Sequence, residues 1–162
     1  MANVLCFVGS WFFTTAAWMQ LVLADRSSRF DLSSAAVQFA GTLLFNISTG
    51  AAVWAHAVTA ERRYVWAPDA TGSIAFLLSG ALAMVAVTAT AGLIELRSRD
   101  WHAGFVNLIG CVAFGVSAVA AFVRGSGITA DERLANLGTF IGALCFLLAA
   151  LMELPRGRDR TA

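Results

Sequence analysis

Five long runs with no charge at their centres, separated by short charged clusters, leave this chain few ways to fold. A bilayer span takes about 20 apolar residues at about 1.5 Å of rise each. The runs read as spans over residues 4–24, 35–60, 70–94, 103–123 and 134–154. The connectors, Asp25 to Ser34, Glu61 to Asp69, Glu95 to His102 and Arg124 to Arg133, are each too short to hold a domain. Consecutive spans are therefore antiparallel neighbours. The expected fold class is all-α, a single five-helix transmembrane bundle over residues 1–155 with a polar tail at 156–162.

Composition points the same way. The chain is 59% hydrophobic and 13% charged, with a mean hydropathy of +0.74, against about 45–50% apolar and about 25% charged for a soluble domain. Too few polar residues remain to cover a water-facing surface. Val22-Leu23-Ala24 ahead of Asp25 faintly resembles a cleavage site, but no basic residue precedes that run and it exceeds a signal core, so it reads as a span.

Eleven basic side chains stand against ten acidic ones, a balance without a nucleic-acid footprint. All eleven are Arg, which with abundant Ala and Gly points to a high-GC bacterium and hence to a bacterial plasma membrane. Arg62, Arg63, Arg124 and Arg133 fall on the side of the N-terminus, and Arg26, Arg29, Arg97, Arg99, Arg156, Arg158 and Arg160 on the other. That bias places the N-terminus outside and the C-terminus in the cytoplasm. Pro68 and Asp69 read as the start of the third span, and Thr129 with Glu132 as a capping box before the fifth. Pro155 reads as the stop of the fifth. Tyr64, Trp66 and Trp101 fall in connectors, at headgroup level.

A motif recurs in every span. Gly is followed four residues later by Phe at Gly9/Phe13, Gly41/Phe45, Gly72/Phe76, Gly110/Phe114 and Gly142/Phe146. Small residues follow three and four positions beyond each Phe, from Ala16 and Ala17 to Ala149 and Ala150. These offsets share one helical face. The recurrence implies duplication of a helix or hairpin unit. Helices in lipid associate by close contact along small-residue stripes, so helix packing is the expected role, with a Gly-lined pore or groove as the alternative.

The amides Gln38, Asn46 and Asn107 lie within apolar runs, and Gln20 lies late in the first. Interhelical hydrogen bonding is their expected use. The sharper reading is a small-molecule contact patch of Gln38, Asn46, Ser48 and Asn107, centred on Asn46, Ser48 and Thr49. No Asp, Glu or Arg lies mid-span, which argues against a charge-coupled transporter. His56 and His102 fall on opposite sides, which excludes a shared haem or metal. Cys6, Cys111 and Cys145 lack paired spacing and read as buried hydrophobes. No phosphate loop, HExxH or Gly-x-Ser-x-Gly is present, so neither catalytic residues nor a cofactor is implied.

Several strings resemble bacterial YrhK-like membrane proteins: Val8-Gly9-Ser10-Trp11-Phe12-Phe13, Gly41 through Thr49, Trp66-Ala67-Pro68-Asp69 leading into Gly72 through Phe76, Asn107 through Gly110 with Phe114 through Ala121, and Asn136 through Leu147. The resemblance covers nearly all the spans in order. It implies an integral membrane protein without an assigned activity. Similar actinobacterial proteins carry a further hydrophobic segment ahead of the one that begins here, so by the resemblance the chain reads as N-terminally short.

The expected function is non-enzymatic, an accessory or scaffold subunit that assembles with itself or binds another membrane protein among membrane lipids. The alternative is passive binding or passage of a neutral or lipid-like small molecule through an amide-lined cavity. The outer connector with Arg62, Arg63, Tyr64 and Trp66 suggests contact with anionic headgroups.

Overall fold

Short side-chain oxygens decide where several of the helices begin. The computed structural model describes residues 2–92, 94–95 and 97–154 and holds five helical segments. They are α1 (Ala2–Leu23), α2 (Arg29–Ala51), α3 (residues 58–91), α4 (Arg99–Ala120) and α5 (Glu132–Glu153). Ser28 Oγ accepts from the Asp31 N–H at 3.2 Å, Ser98 Oγ from the Trp101 N–H at 3.2 Å, and an Asp131 carboxylate oxygen from the Leu134 N–H at 3.0 Å. Each such cap contributes about 1 kcal/mol. The expected capping box at Thr129 is replaced by Asp131, because Thr129 is drawn into an antiparallel bridge with Val123. Pro155 and the tail arginines lie outside the described residues.

The third span is the largest departure from expectation. Its helix begins at Val58, so Asp69 lies within it and caps nothing at its start, while the connector shrinks to residues 52–57. Val58–Ala60 is α-helical, Glu61–Trp66 is π-helical, and Ala67–Ala91 returns to α. Pro68 lacks the N–H that would bond to the Tyr64 carbonyl, and its ring crowds that carbonyl in a regular α-turn. The wider turn just before it relieves the conflict, with the Ala67 N–H donating to the Arg62 carbonyl five residues back. The proline therefore sits inside a continuous helix.

Four of the five helices are long and apolar enough to cross a membrane: α1, residues 58–89 of α3, α4 and α5. α2 takes its place between α1 and α3 in the expected five-helix bundle, and it is as long but less apolar. The reason lies in what α2 buries: Ser34, Gln38, Thr42, Asn46, Ser48 and Thr49 all point away from the surroundings.

Each helix packs against its sequence neighbours, α1 on α2, α2 on α3, α3 on α4 and α4 on α5. Short connectors between antiparallel helices give this order. The start of α1 and the end of α2 share one end of the bundle, where Asn3 Nδ2 donates to the Ala52 carbonyl at 2.7 Å. At the opposite end, an Arg99 guanidinium nitrogen donates to the Leu154 carbonyl at 2.9 Å. Between α4 and α5 the chain reverses tightly, with the Gly127 N–H donating to the Arg124 carbonyl at 3.0 Å. Gly127 has a φ of +81°, a conformation that favours glycine there.

Candidate functional site

The motif phenylalanines meet. Phe13, Phe45, Phe76, Phe114 and Phe146, one from each helix, form a single cluster with contacting ring centroids 5.2 to 6.4 Å apart. Those separations match favourable aromatic pairing. Phe76, Phe114 and Phe146 are buried with Cys111, while Phe13 and Phe45 close the cluster as partly buried rings. Because alternate helices run in opposite directions, a motif near the middle of each brings all five rings to one depth.

The motif glycines make room for these rings. A Cβ on Gly41 would lie 2.6 Å from a Phe76 ring carbon, and one on Gly110 would lie 2.9 Å from Phe146. On Gly142 it would meet Phe114 at 2.5 Å, and on Gly72 it would stand 3.1 Å from the Gly41 carbonyl oxygen. The pairs α2/α3 and α4/α5 thus use the same device. Gly9 is the exception, with nothing within 4 Å. It is exposed on α1, whose buried residues are Ser10, Thr14 and Ala17.

Gly138 was not among the expected packing residues, yet it makes the closest backbone approach. A Cβ there would lie 2.9 Å from the Ala113 carbonyl oxygen and 2.9 Å from Ser117 Cβ. The sequence signal was available, since Gly138 and Gly142 form a Gly-x-x-x-Gly pair.

Hydroxyls link each pair of sequential helices. Thr49 Oγ1 donates to Ser10 Oγ at 3.1 Å across α1/α2, and the Ser34 hydroxyl bonds to the Ser79 carbonyl at 2.9 Å across α2/α3. Ser73 Oγ donates to the Phe114 carbonyl at 3.3 Å across α3/α4, and Ser117 Oγ to the Ala135 carbonyl at 2.7 Å across α4/α5. Every sequential interface therefore carries one.

The expected amide patch divides. Gln38, Asn46 and Ser48 are buried on α2. Both polar atoms of the Asn46 side chain and Oε1 of Gln38 are buried without a hydrogen-bond partner. Asn107 is half-buried on α4, its amide 3.9 Å from Cys111 Sγ. Gln20 Nε2 lies 3.5 Å from a Glu153 carboxylate oxygen and, with the Phe13–Phe146 contact, links α1 to α5.

His56 lies in the connector after α2, and His102 in the first turn of α4 at the other end, its Nδ1 2.7 Å from the Ser98 carbonyl. Among the described residues no group of three His, Cys, Asp or Glu is placed to hold a metal ion. The cysteines are free; Cys111 is buried, whereas Cys6 is exposed, contrary to its expected burial.

The π-helical turn builds the N-terminal end. Trp66 Nε1 donates to the Ala118 carbonyl at 2.9 Å, and its ring meets Phe122 edge-on with centroids 5.0 Å apart. Arg62 Nε donates to the Val123 carbonyl at 2.6 Å while its guanidinium lies over the Phe122 ring at 5.1 Å. Tyr64 packs on Trp54 with centroids 5.6 Å apart.

Comparison with family models, curated proteins and solved structures returned no match.

Proposed function

We propose that this chain is a non-enzymatic accessory or scaffold subunit of a bacterial plasma membrane, YrhK-like, with its N-terminus outside. It associates laterally with a second copy or with another membrane protein. One observation carries the reading: the Gly9 face of α1 is open, although the glycines of α2 to α5 with the same spacing are each closed by a neighbouring helix. Close approach along small residues is how helices associate in lipid, and α1 keeps such a face uncovered while packing chiefly on α2. The recurring Gly-to-Phe spacing supports descent from a duplicated helical unit.

The test is a photo-crosslinker incorporated at Gly9, with Ile109 on α4, also exposed, as the control. A homodimer or one protein adduct of fixed mass, formed from position 9 and not from position 109, is expected. Lipid adducts alone from both positions would sink the proposal.

A second reading rests on Asn46. A buried amide without partners costs about 1–3 kcal/mol, and a neutral small molecule offering one donor and one acceptor would satisfy it. Asn46→Leu would then abolish retention of that molecule in native mass spectra, and unchanged retention would remove the idea.

A further inference from the structure

We infer that the groove between α3 and α4 is a phospholipid site, with one acyl chain lying along it and the lipid phosphate held at Arg62. This rests on the reading of the chain as a membrane protein and is independent of what α1 binds.

The groove has a volume of about 670 Å³ and runs from Trp66 on α3 to Leu77, opposite Val112 to Ala120 on α4. It exists because small residues, Ala70, Gly115 and Ala118, stand where larger side chains would fill the crossing. Ile74, Val116 and Val119 form its walls and are 58%, 44% and 76% exposed. Ser73 adds a hydroxyl, but this is already spent on the Phe114 carbonyl.

Its length decides what fits. Residues 66 to 77 of α3 rise about 16 Å, close to half of the roughly 30 Å hydrocarbon core of a bilayer. One end of the groove lies at the Trp66 turn, beside the α4–α5 connector, and the other lies against the phenylalanine cluster at Leu77. The groove is therefore one leaflet deep. An extended acyl chain is the occupant of matching length.

Polarity supplies the direction. Beyond the spent Ser73 hydroxyl, the polar lining gathers at the N-terminal end, where the Trp66 indole and Asp131 stand. Asp131 is occupied in capping α5. Arg62, one turn before Trp66, spends Nε on Val123, and its terminal nitrogens make no hydrogen bond or ion pair with a described residue. A guanidinium fixed over an aromatic ring with two nitrogens to spare is suited to a phosphate diester. The indole N–H is itself held by the Ala118 carbonyl, and Arg62 stands just beyond the Trp66 end of the groove, so apolar trough and cation follow one another in the order of acyl chain and phosphate.

The experiment is native mass spectrometry of the full-length chain released from nanodiscs containing phosphatidylglycerol and diacylglycerol in equal amounts. One phosphatidylglycerol per chain is expected to survive partial delipidation. Ala70→Phe and Val116→Phe, which fill the groove from opposite walls, should each lower that retention at least tenfold. Arg62→Gln should remove the preference for phosphatidylglycerol over diacylglycerol, and Ile109→Phe, elsewhere on α4, should change neither. Folding is checked by helical circular dichroism, and two groove variants are used so that one misfolded protein does not decide the matter. Undiminished lipid on folded Ala70→Phe and Val116→Phe would overturn the site, as would equal retention of the two lipids by the wild type. Loss of an oligomer with lipid retained would reassign the groove to a protein partner. Failure of the wild type to enter nanodiscs at all would instead count against membrane residence.

Discussion

At the scale of single residues, two kinds of polar side chain in similar surroundings have opposite energetic standing. The serine and threonine hydroxyls at the four interfaces are satisfied by a neighbouring helix, and such bonds contribute about 0.6 kcal/mol on average. Ser117→Ala should therefore destabilise the folded chain by about that amount in steric-trap or thermal measurements. Asn46 satisfies neither of its amide atoms, so Asn46→Leu is expected to raise stability by about 1–3 kcal/mol; a loss would mean that the amide finds a partner. Glycines divide in the same way. Gly142→Ala must push a methyl into Phe114 and should cost about 1–3 kcal/mol, whereas Gly9→Ala, meeting nothing, should gain about 0.5–1 kcal/mol in the isolated chain. Which glycines and phenylalanines matter was legible in their spacing. Which polar groups pair was not, because a hydroxyl can reach a carbonyl only where two helices cross, and crossing points are not written in one helix's sequence. Interhelical bonding was the expected use of the amides, and Gln20 makes such a contact with Glu153 whereas Asn46 on α2 makes none.

At the scale of elements, the existence and order of the helices could be read from the hydrophobic runs, and most of their ends fell within a few residues of expectation. α3 was misread because a proline beside an aspartate resembles a helix start, while relief through a wide turn leaves no local signature. The polarity of α2 was visible as a scatter of Ser, Thr, Asn and Gln, but its burial follows from packing between α1 and α3. The turn joining α1 to α2 carries a pH dependence. The backbone N–H and hydroxyl of Ser27 hold the exposed Asp25 carboxyl below its ordinary value. A lowered folded-state pKa contributes stability that is present above the unfolded value, about 3.9, and is lost as pH falls through the folded one. The protection of the turn amides relative to their intrinsic exchange rates should therefore fall on acidification below about pH 4, and Ser27→Ala should weaken that response. Among the cysteines, Cys6 on the exposed side of α1 should react with maleimide in the folded protein, whereas Cys111 should wait for unfolding.

At the scale of the whole molecule, the bundle is an arc of five helices whose ends meet through one pair of rings and one polar contact. Its surroundings therefore see two different terminal helices. α1 turns an open glycine face outward and α5 does not, since Gly138 and Gly142 are both committed to α4. Association should accordingly be one-sided. Gly9→Leu is expected to reduce co-purification of any partner at least several-fold, whereas Ala143→Leu on the exposed flank of α5 should leave it unchanged. The ring cluster has another consequence. Five phenylalanines, one from each helix, meet in a single ring cluster in the middle of the bundle. A molecule built this way is expected to insulate. It can reside in an energised membrane without short-circuiting the proton gradient, and proteoliposomes containing it should hold a pH step as long as empty vesicles do.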